Sequence, residues 1–448
     1  MIDIDNYRQA LNNLPQEILE AEFNIEKNES RMIKVSYKEI TDNSYSDLTE
    51  IFARVSGDRT GFSYTQDIME DPMEIIRRAY NNTLDIDDLN KNILNKEGKL
   101  STVHSESYST EKEMFNYATS LEDSLLNSHK TIEKVIVEAR VDNTTSHVLN
   151  SYGLYKCYER EVYYLSVHIM AKKNDKVYNA NFAISAKDFS EIKLEEISTQ
   201  IVNQLESQFD PINFKTGEYP VVLDRTVMVN IMMTAWQIFS GIKYLENSSS
   251  ISGKYKEIIG SEFFNVVDVP DHELTGYEFK FDCEGTEADE NIIVENGTLK
   301  GLLHNLKSAN SLKQSPSGNA GRYALLSGTI PTDIIVTPRT LYVVPGKNNK
   351  DKLLKILDNG VYITESYDVF HSINIASGNF SIPCRGTVIK DGNKAENITE
   401  LTISGNLVEL FKNVLLTGSD LYIEEFLKKS YCIGSPSILV KELHVNAG

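Results

Sequence analysis

The chain of 448 residues carries 45 lysines and arginines against 65 aspartates and glutamates, which gives a formal net charge of −20. This excess of negative charge disfavours the phosphate backbone of a nucleic acid and an anionic membrane surface, because both attract clustered cations. With 41% hydrophobic and 25% charged residues, the chain has the composition of a globular protein with room for two domains. We therefore expect neither a nucleic acid nor a membrane among its partners.

Three features of the sequence predict a cytoplasmic location. The first five residues have neither the basic nor the apolar region of a signal peptide. The longest apolar stretch, 227–245, contains Asn230, Gln237 and Lys243, so it predicts a buried core helix and not a membrane span. The cysteines are too far apart for a Cys-x-x-Cys pair, which favours a reducing compartment: Cys157, Cys283, Cys384 and Cys432.

Residues 1–210 predict an N-terminal α+β domain with a layer of antiparallel strands. Its first half predicts a helix over 7–14, strands over 20–26 and 31–40, a turn at 56–58 between two more strands, and a helix that opens at Asp71-Pro72. The polar segment 84–109 predicts a loop or a lid.

The second half of this domain has clear helix and turn signals. Thr110 and Glu113 form a capping box before a helix, a strand follows over 134–141, and Asn150 to Gly153 predicts a tight turn. A last amphipathic helix carries apolar residues at a spacing of three to four: Leu194, Ile197, Ile201 and Leu205. A polar stretch with two prolines follows, so we expect a β-rich second domain over 211–448.

The C-terminal domain contains three signals for sharp turns between strands. Asp391-Gly392 is a strong hairpin signal, and Ser377-Gly378-Asn379 and 404–406 are short polar breaks in β-rich sequence. The pattern predicts a meander of strands with tight corners.

The candidates for metal and acid chemistry favour structural roles. The eight histidines show no pair at the spacing of a zinc-binding helix. The only His-Glu pair, at 272–273, indicates a solvated turn. The many acids of 268–290 do not match a calcium-binding loop, and they indicate a solvated acidic face.

Two further segments, around Cys432 and over 315–322, contain residues that can support chemistry. A reactive thiolate at Cys432 requires a cation beside it, and the pattern favours a buried, inert thiol instead. The glycine-rich segment 315–322 does not join a strand to a helix as a nucleotide loop does, so it predicts a loop that faces a substrate or a partner. The sequence identifies no catalytic residue and no metal ligand.

An ordered set of short motifs resembles the TldD/TldE (PmbA) family. The set includes Ser-Gly-Asn-Phe-Ser at 377–381, Gly-x-x-Ile-x-x-Gly at 386–392 and Thr-Ile-Ser-Gly-Asn-Leu at 402–407, with Ser-Gly-Asn-Ala-Gly-Arg at 317–322 before them. The resemblance implies a heterodimeric zinc peptidase in which only the TldD-type subunit binds the metal, through His-Glu-x-x-x-His on a core helix. That subunit also has a cysteine near its C-terminus.

The resemblance places this chain in the TldE-like branch. Met232-Met-Thr-Ala-Trp-Gln-Ile-Phe stands where the zinc motif is expected, and thioether and aromatic groups cannot replace imidazoles and a general base. We therefore expect no cofactor in this chain, zinc in a TldD-like partner, and extended peptides as substrates. The residues expected in cavity or interface loops are Ser317, Gly318, Asn319, Arg322, Ser377, Gly378, Asn379, Phe380 and Ser381.

Two alternatives remain open at this point. The chain can be a homodimeric accessory that binds or helps to mature peptides without cleaving them. It can also be a hydrolase that depends on Cys432 and needs no metal.

Overall fold

The computed structural model describes residues 2–56, 60–83, 94–96, 98–101, 110–322, 333–426 and 431–447. In this part the chain is a mixed α+β protein rich in strands, as the sequence predicts. None of the helices described is both long and apolar enough to cross a membrane. Most of the predicted lid at 84–109, and Gly57-Asp58 of the predicted turn, lie outside the described residues.

The described part contains ten α-helices. They are α1 (Ile4–Asn12), α2 (Pro72–Asn82), α3 (Glu111–Ser128), α4 (Leu194–Glu206), α5 (Arg225–Ala235), α6 (Gly241–Leu245), α7 (Leu306–Leu312), α8 (Lys350–Leu357), α9 (Val369–Ser372) and α10 (Leu407–Lys412).

Strands make up most of the remaining regular structure. In the N-terminal part they are β1 (Glu20–Ser36), β2 (Glu39–Ser56), β3 (Gly61–Thr65), β4 (Lys99–Ser101), β5 (Ile132–Asn150), β6 (Tyr155–Lys173) and β7 (Lys176–Ala186). In the C-terminal part they are β8 (Gly217–Leu223), β9 (Val266–Val269), β10 (Asn291–Glu295), β11 (Thr298–Leu299), β12 (Ala320–Gly321), β13 (Ile335–Val336), β14 (Thr340–Val343), β15 (Gly360–Ser366), β16 (Asn379–Lys390), β17 (Asn393–Asn406), β18 (Val414–Thr417), β19 (Tyr422–Phe426), β20 (Tyr431–Ser435) and β21 (Ile438–Ala447).

The N-terminal strands form one sheet in the order β3-β2-β1-β5-β6-β4, with β7 also paired to β6. The sequence predicts two strands over 20–40, whereas the structure has the single strand β1 over most of that range. Its polar middle stays extended because β1 is hydrogen-bonded on both sides, where Asn28 lies opposite Leu48 of β2 and Thr144 of β5. Pairing to two neighbours therefore overrides the weak local signal.

Helices α2 and α3 begin where the sequence places them. Asp71 accepts a hydrogen bond from the backbone of Met73 at the start of α2, and Thr110 and Glu113 form both bonds of the capping box at α3. The predicted apolar face of α3 is buried against the sheet, and its members are Met114, Ala118, Leu121 and Leu125.

The C-terminal strands form a closed barrel and a second sheet. Strands β17-β16-β15-β8-β21 pair in sequence, and β21 pairs back with β17 through residues 444–447, which closes the ring. The second sheet has the order β11-β10-β9-β14-β20-β19. Helix α5 packs against β15 of the barrel and against β19 and β20 of the second sheet.

The predicted single helix over 227–245 is wrong in one respect, because the structure breaks it. Helix α5 ends at Ala235, a 3-10 turn follows over Trp236–Phe239, and α6 begins at Gly241. The backbone of Leu303 donates to Phe239 and accepts from Gly241, so these two residues hydrogen-bond outside the helix. Helix α5 and the 3-10 turn are largely buried, as predicted, whereas only Gly241 of α6 is buried.

The predicted turns of the barrel have different outcomes. Asp391 and Gly392 both have positive φ and join β16 to β17, which confirms the hairpin. Residues 404–406 do not form a turn between strands, since they complete β17 and Asn406 caps α10. Gly405 packs closely there, since a Cβ atom would lie 3.1 Å from the ring of Phe380.

The largest hydrophobic cluster is continuous across the two halves of the chain. It runs from the N-terminal sheet and α3 through α5 to the barrel. A smaller cluster lies under α1 and α2. The division into domains at 1–210 and 211–448 stays a prediction.

Candidate functional site

Helix α5 and the 3-10 turn that follows it hold the residues that stand at the expected zinc position. Met232, Met233 and Trp236 are at most 5% exposed and pack in the core. The Gln237 side chain donates to the backbone carbonyl of Thr234. No cluster of three or more histidine, cysteine, aspartate or glutamate side chains that suits a metal ion occurs in the described part of the chain. The residues at this position do not fit zinc.

Cys432 lies on β20, directly beside α5. The ring of the preceding Tyr431 meets the Trp236 ring edge-on, with centroids 5.5 Å apart. The Cys432 thiol is fully buried, its Sγ lies 3.5 Å from the hydroxyl of Thr275, and burial raises its pKa to about 12. A reactive thiolate requires the opposite shift, so the geometry favours the inert thiol.

Of the predicted loop 377–381 at the end of the barrel, only Ser377 and Gly378 lie in a turn, because residues 379–381 pair with β17 as the start of β16. The side chains of Ser377, Asn379 and Ser381 are exposed, whereas Phe380 is buried and Gly378 has a φ of 77° that suits glycine. The loop is fastened from the other strand, because the Asn406 amide donates to the Ser377 carbonyl and to Asn379 Oδ1, both at 2.9 Å. Its contact with a partner or substrate stays a prediction.

Most residues of the second predicted loop, 315–322, are buried and make hydrogen bonds inside the protein. Gly318, Asn319 and Arg322 are buried, and the exposed residues are Ser315 and Pro316. The Asn319 amide donates to Asp268 Oδ2 at 2.7 Å, and Ser317 donates to Asn319 Oδ1 at 2.6 Å. The two predicted loops have different neighbours, since 377–381 lies beside Ser250 and Asn406. The structure does not bring them together in one site.

The predicted solvated acidic face is wrong for three of its members. Asp268, Asp282 and Glu284 are at most 2% exposed. Asp282 accepts backbone hydrogen bonds from Glu284, Thr286 and Ala320, so its carboxylate organises a turn. Burial raises the pKa of Asp268 to about 6, although hydrogen bonds from Asn319 and the Arg339 backbone oppose this shift.

Glu284 belongs to an ion triad that joins the two halves of the chain. Arg54 of β2 lies 2.7 Å from Glu22 of β1 and 2.7 Å from Glu284, and all three side chains are at most 3% exposed. Glu284 also accepts a hydrogen bond from the backbone of Leu306 at the start of α7. The guanidinium of Arg322 stacks on Phe52 at 4.5 Å beside this triad.

Comparison with known proteins assigns the family. The profile of the PmbA/TldA metallopeptidase C-terminal domain matches residues 216–447, which is more than half of the chain. The chain belongs to the PmbA/TldD family. Its structure superposes on that of TldE from Thermococcus kodakarensis with a TM-score of 0.85, covering 99% of this chain and all of the other at 20% identity.

Two curated PmbA/TldD relatives match in sequence over shorter regions. A metalloprotease of Methanothermobacter thermautotrophicus is 34% identical over 177 residues, 39% of this chain and 37% of the relative. A zinc metalloprotease TldD homolog of Saccharolobus solfataricus is 26% identical over 298 residues, 63% of this chain and 64% of the relative. The chain therefore spans less than two thirds of the length of either relative.

A cavity beside α5 is a site that sequence reasoning missed in this PmbA/TldD protein. It lies between the face of the N-terminal sheet and the α5–β19 layer, with a volume of about 500 Å³. Its lining comes from seven elements that lie between β1 and β19 in the chain, so no local motif marks it. The one available signal is Glu424, a charged residue that follows the two buried residues Tyr422 and Ile423 of β19.

Proposed function

We propose that this chain is the metal-free, TldE-like subunit of a heterodimeric PmbA/TldD peptidase that degrades or matures unfolded or extended peptides. The observation that carries the proposal is the composition of α5, where Met232, Met233 and Trp236 fill the position expected for the zinc motif. A chain with this helix needs a second subunit to supply the metal and the general base.

In this proposal the chain supplies part of the wall around the substrate. An extended peptide is bound along a sheet edge through main-chain hydrogen bonds, which makes binding tolerant of sequence. The exposed residues Ser377, Asn379 and Ser381 are the proposed contacts with the partner subunit or the peptide. Cys432 takes no part in the chemistry. The proposed location is the cytoplasm, where cysteines such as the four free ones of this chain stay reduced.

The test is to measure zinc and peptidase activity in the purified chain, in a TldD-like subunit from the same organism, and in their mixture. We expect no stoichiometric zinc in this chain alone, close to one zinc per heterodimer, and cleavage of unfolded peptides only by the mixture. The matched control is a TldD-like subunit whose zinc-motif glutamate is replaced by glutamine, which should still pair but not cleave.

Two results contradict the proposal. Stoichiometric zinc in this chain alone would require ligands elsewhere in the molecule. A homodimer that binds extended peptides, fails to pair with the TldD-like subunit and cleaves nothing would support the accessory function instead.

A further inference from the structure

The cavity beside α5 has the size and lining of a ligand site. Its volume of about 500 Å³ lies within the range of small-molecule and side-chain pockets. The walls combine the aromatic rings of Tyr164, Phe182 and Tyr422 with the carboxyl groups of Glu138 and Glu424.

Side chains alternate between the two faces of β19, and Glu424 is on the face that borders this cavity. Tyr422 and Glu424 point to one side of the strand, whereas Ile423 and Glu425 point to the other. Ile423 packs in the cluster that contains Cys432, and Glu425 accepts from Arg140 at 2.9 Å. Glu425 is thus paired with Arg140, which also borders the cavity at Glu138 and Tyr164.

Glu424 has no cationic partner among the described residues. The charged group that acts on its carboxyl is Glu425, which repels it, and the nearby Tyr422 hydroxyl donates its proton to the Ala183 carbonyl at 2.6 Å. Burial and the charge of Glu425 raise the pKa of Glu424 to about 7. The charged and titratable side chains that line or border the cavity are Lys34, Glu138, Arg140, Tyr164, His168, Arg225, Tyr422 and Glu425.

The other carboxylate of the cavity is compensated. Glu138 lies 3.7 Å from Lys34 and 3.6 Å from Arg140. The uncompensated negative charge is therefore concentrated at Glu424, beside two tyrosine rings. The rings of Tyr164 and Tyr422 already lie against the guanidinium groups of Arg140 and Arg225, so the partly desolvated carboxylate of Glu424 is the group that favours a further cation.

We propose that this cavity binds a cationic group of an extended peptide, with Glu424 as its counterion. The group is an ammonium or guanidinium, which can come from a lysine or arginine side chain or from the peptide N-terminus. The inference rests on the proposed function for the choice of a peptide, but binding requires only this chain.

The experiment measures binding to the full chain by fluorescence anisotropy at pH 8. The probes are three hexapeptides labelled at the C-terminus: an N-acetylated peptide with one lysine, the same peptide with norleucine, and the norleucine peptide with a free N-terminus. We expect at least one cationic probe to bind about tenfold more tightly than the neutral probe. The probe that gains shows whether the side chain or the terminal ammonium is recognised.

The variant Glu424→Gln should bind all three probes alike, because it keeps the shape of the side chain and removes its charge. The control Glu442→Gln removes an exposed carboxylate on β21 and should keep the preference. Lowering the pH to 6 should weaken the preference in the wild type, since Glu424 then gains its proton.

Three results overturn the inference: equal affinity of all probes for the wild type, a preference that survives in Glu424→Gln, or no binding of any probe. These outcomes are separate from those of the zinc test. A chain that pairs with a TldD-like subunit yet shows no charge preference keeps the proposed function and loses this site.

Discussion

At the scale of single residues, Cys432 and Glu424 illustrate how the surroundings decide the chemistry of a side chain. Cys432 is enclosed by Tyr277, Phe279 and Ile423, and its pKa is raised by burial. Glu424 lies at a cavity and meets no cationic partner in the described part of the chain, and its pKa is raised by burial and by Glu425. The first arrangement suppresses reactivity, whereas the second leaves a charge for a ligand to neutralise.

We predict that Cys432 does not react with a thiol reagent in the native protein at pH 8. Only the thiolate is reactive, and a pKa of about 12 leaves almost none of it at that pH. Peptide mapping after alkylation with iodoacetamide measures the labelling of each cysteine, and labelling in denaturant is the positive control. Rapid native labelling of Cys432, or loss of peptidase activity in Cys432→Ala with a normal fold, would restore the cysteine hydrolase alternative.

We predict that Glu424 lowers the stability of the fold as the pH rises from 5 to 8. Its pKa is near 4.3 in the unfolded chain and about 7 in the fold, so the native state binds more protons within this window. The stabilisation that the native state gains from a protonated Glu424 is complete below the pKa of the unfolded state, and it is lost as the pH rises through 7. Urea unfolding measures how far the free energy of unfolding falls between pH 5 and pH 8. This fall should be smaller in Glu424→Gln than in the wild type by about 1–2 kcal/mol, after allowance for solvent screening. The same decrease in Glu424→Gln and in the wild type would contradict the assignment.

At the scale of elements, backbone contacts decide where the helix 225–245 breaks and how the end of the barrel is held. The backbone groups of Phe239 and Gly241 hydrogen-bond to Leu303 and not to residues of the same helix. A Cβ atom at Gly241 would lie 2.4 Å from Nδ1 of His304, so α6 can approach α7 only with glycine there. The break therefore follows from packing against another segment.

We predict that Asn406→Ala destabilises the protein by about 1–2 kcal/mol and exposes the 377–381 loop. The side chain caps α10 through the Val408 backbone and holds Ser377 and Asn379 with its amide. Urea unfolding measures the loss, and limited proteolysis should show earlier cleavage within 377–381.

Asn127→Ala is the matched control for this prediction. It removes an exposed amide on α3 that bonds only to the Asp123 carbonyl, and it should leave both measurements nearly unchanged. Unaltered proteolysis of 377–381 in Asn406→Ala would mean that other contacts hold the loop.

At the scale of the whole molecule, the buried ion triad joins the N-terminal sheet to the C-terminal half. Arg54 neutralises Glu22 from its own sheet and Glu284 from the other half, and Glu284 extends the connection to α7. A buried pair of this kind is costly to break, because removing one partner leaves charges without compensation.

We predict that Arg54→Met lowers the free energy of unfolding by about 3–5 kcal/mol. The loss arises because Glu22 and Glu284 remain buried without their shared cation. Denaturant unfolding measures it, and Arg77→Met is the control, since Arg77 makes an ion pair to Glu74 with both side chains 58% exposed. A loss similar to that of the control would show that the triad does not hold the halves together.

The sequence by itself determined the features that depend on neighbours within a few residues. The capping box at Thr110, the helix start at Asp71 and the hairpin at Asp391-Gly392 are set by local hydrogen bonds and by allowed φ values, so their motifs predict them directly. The family was also readable from the sequence, because its motifs recur in order along the C-terminal half.

Only the tertiary structure decided what depends on distant partners. Glu284 meets Arg54 across 230 positions in the chain, so the acidic segment looked solvated although part of it is buried. The cavity at Glu424 forms only when β5, β6 and β7 face α5 and β19. Local patterns carry no information about such pairings, since the energy of burying a charge is set by whichever side chains the completed fold places around it.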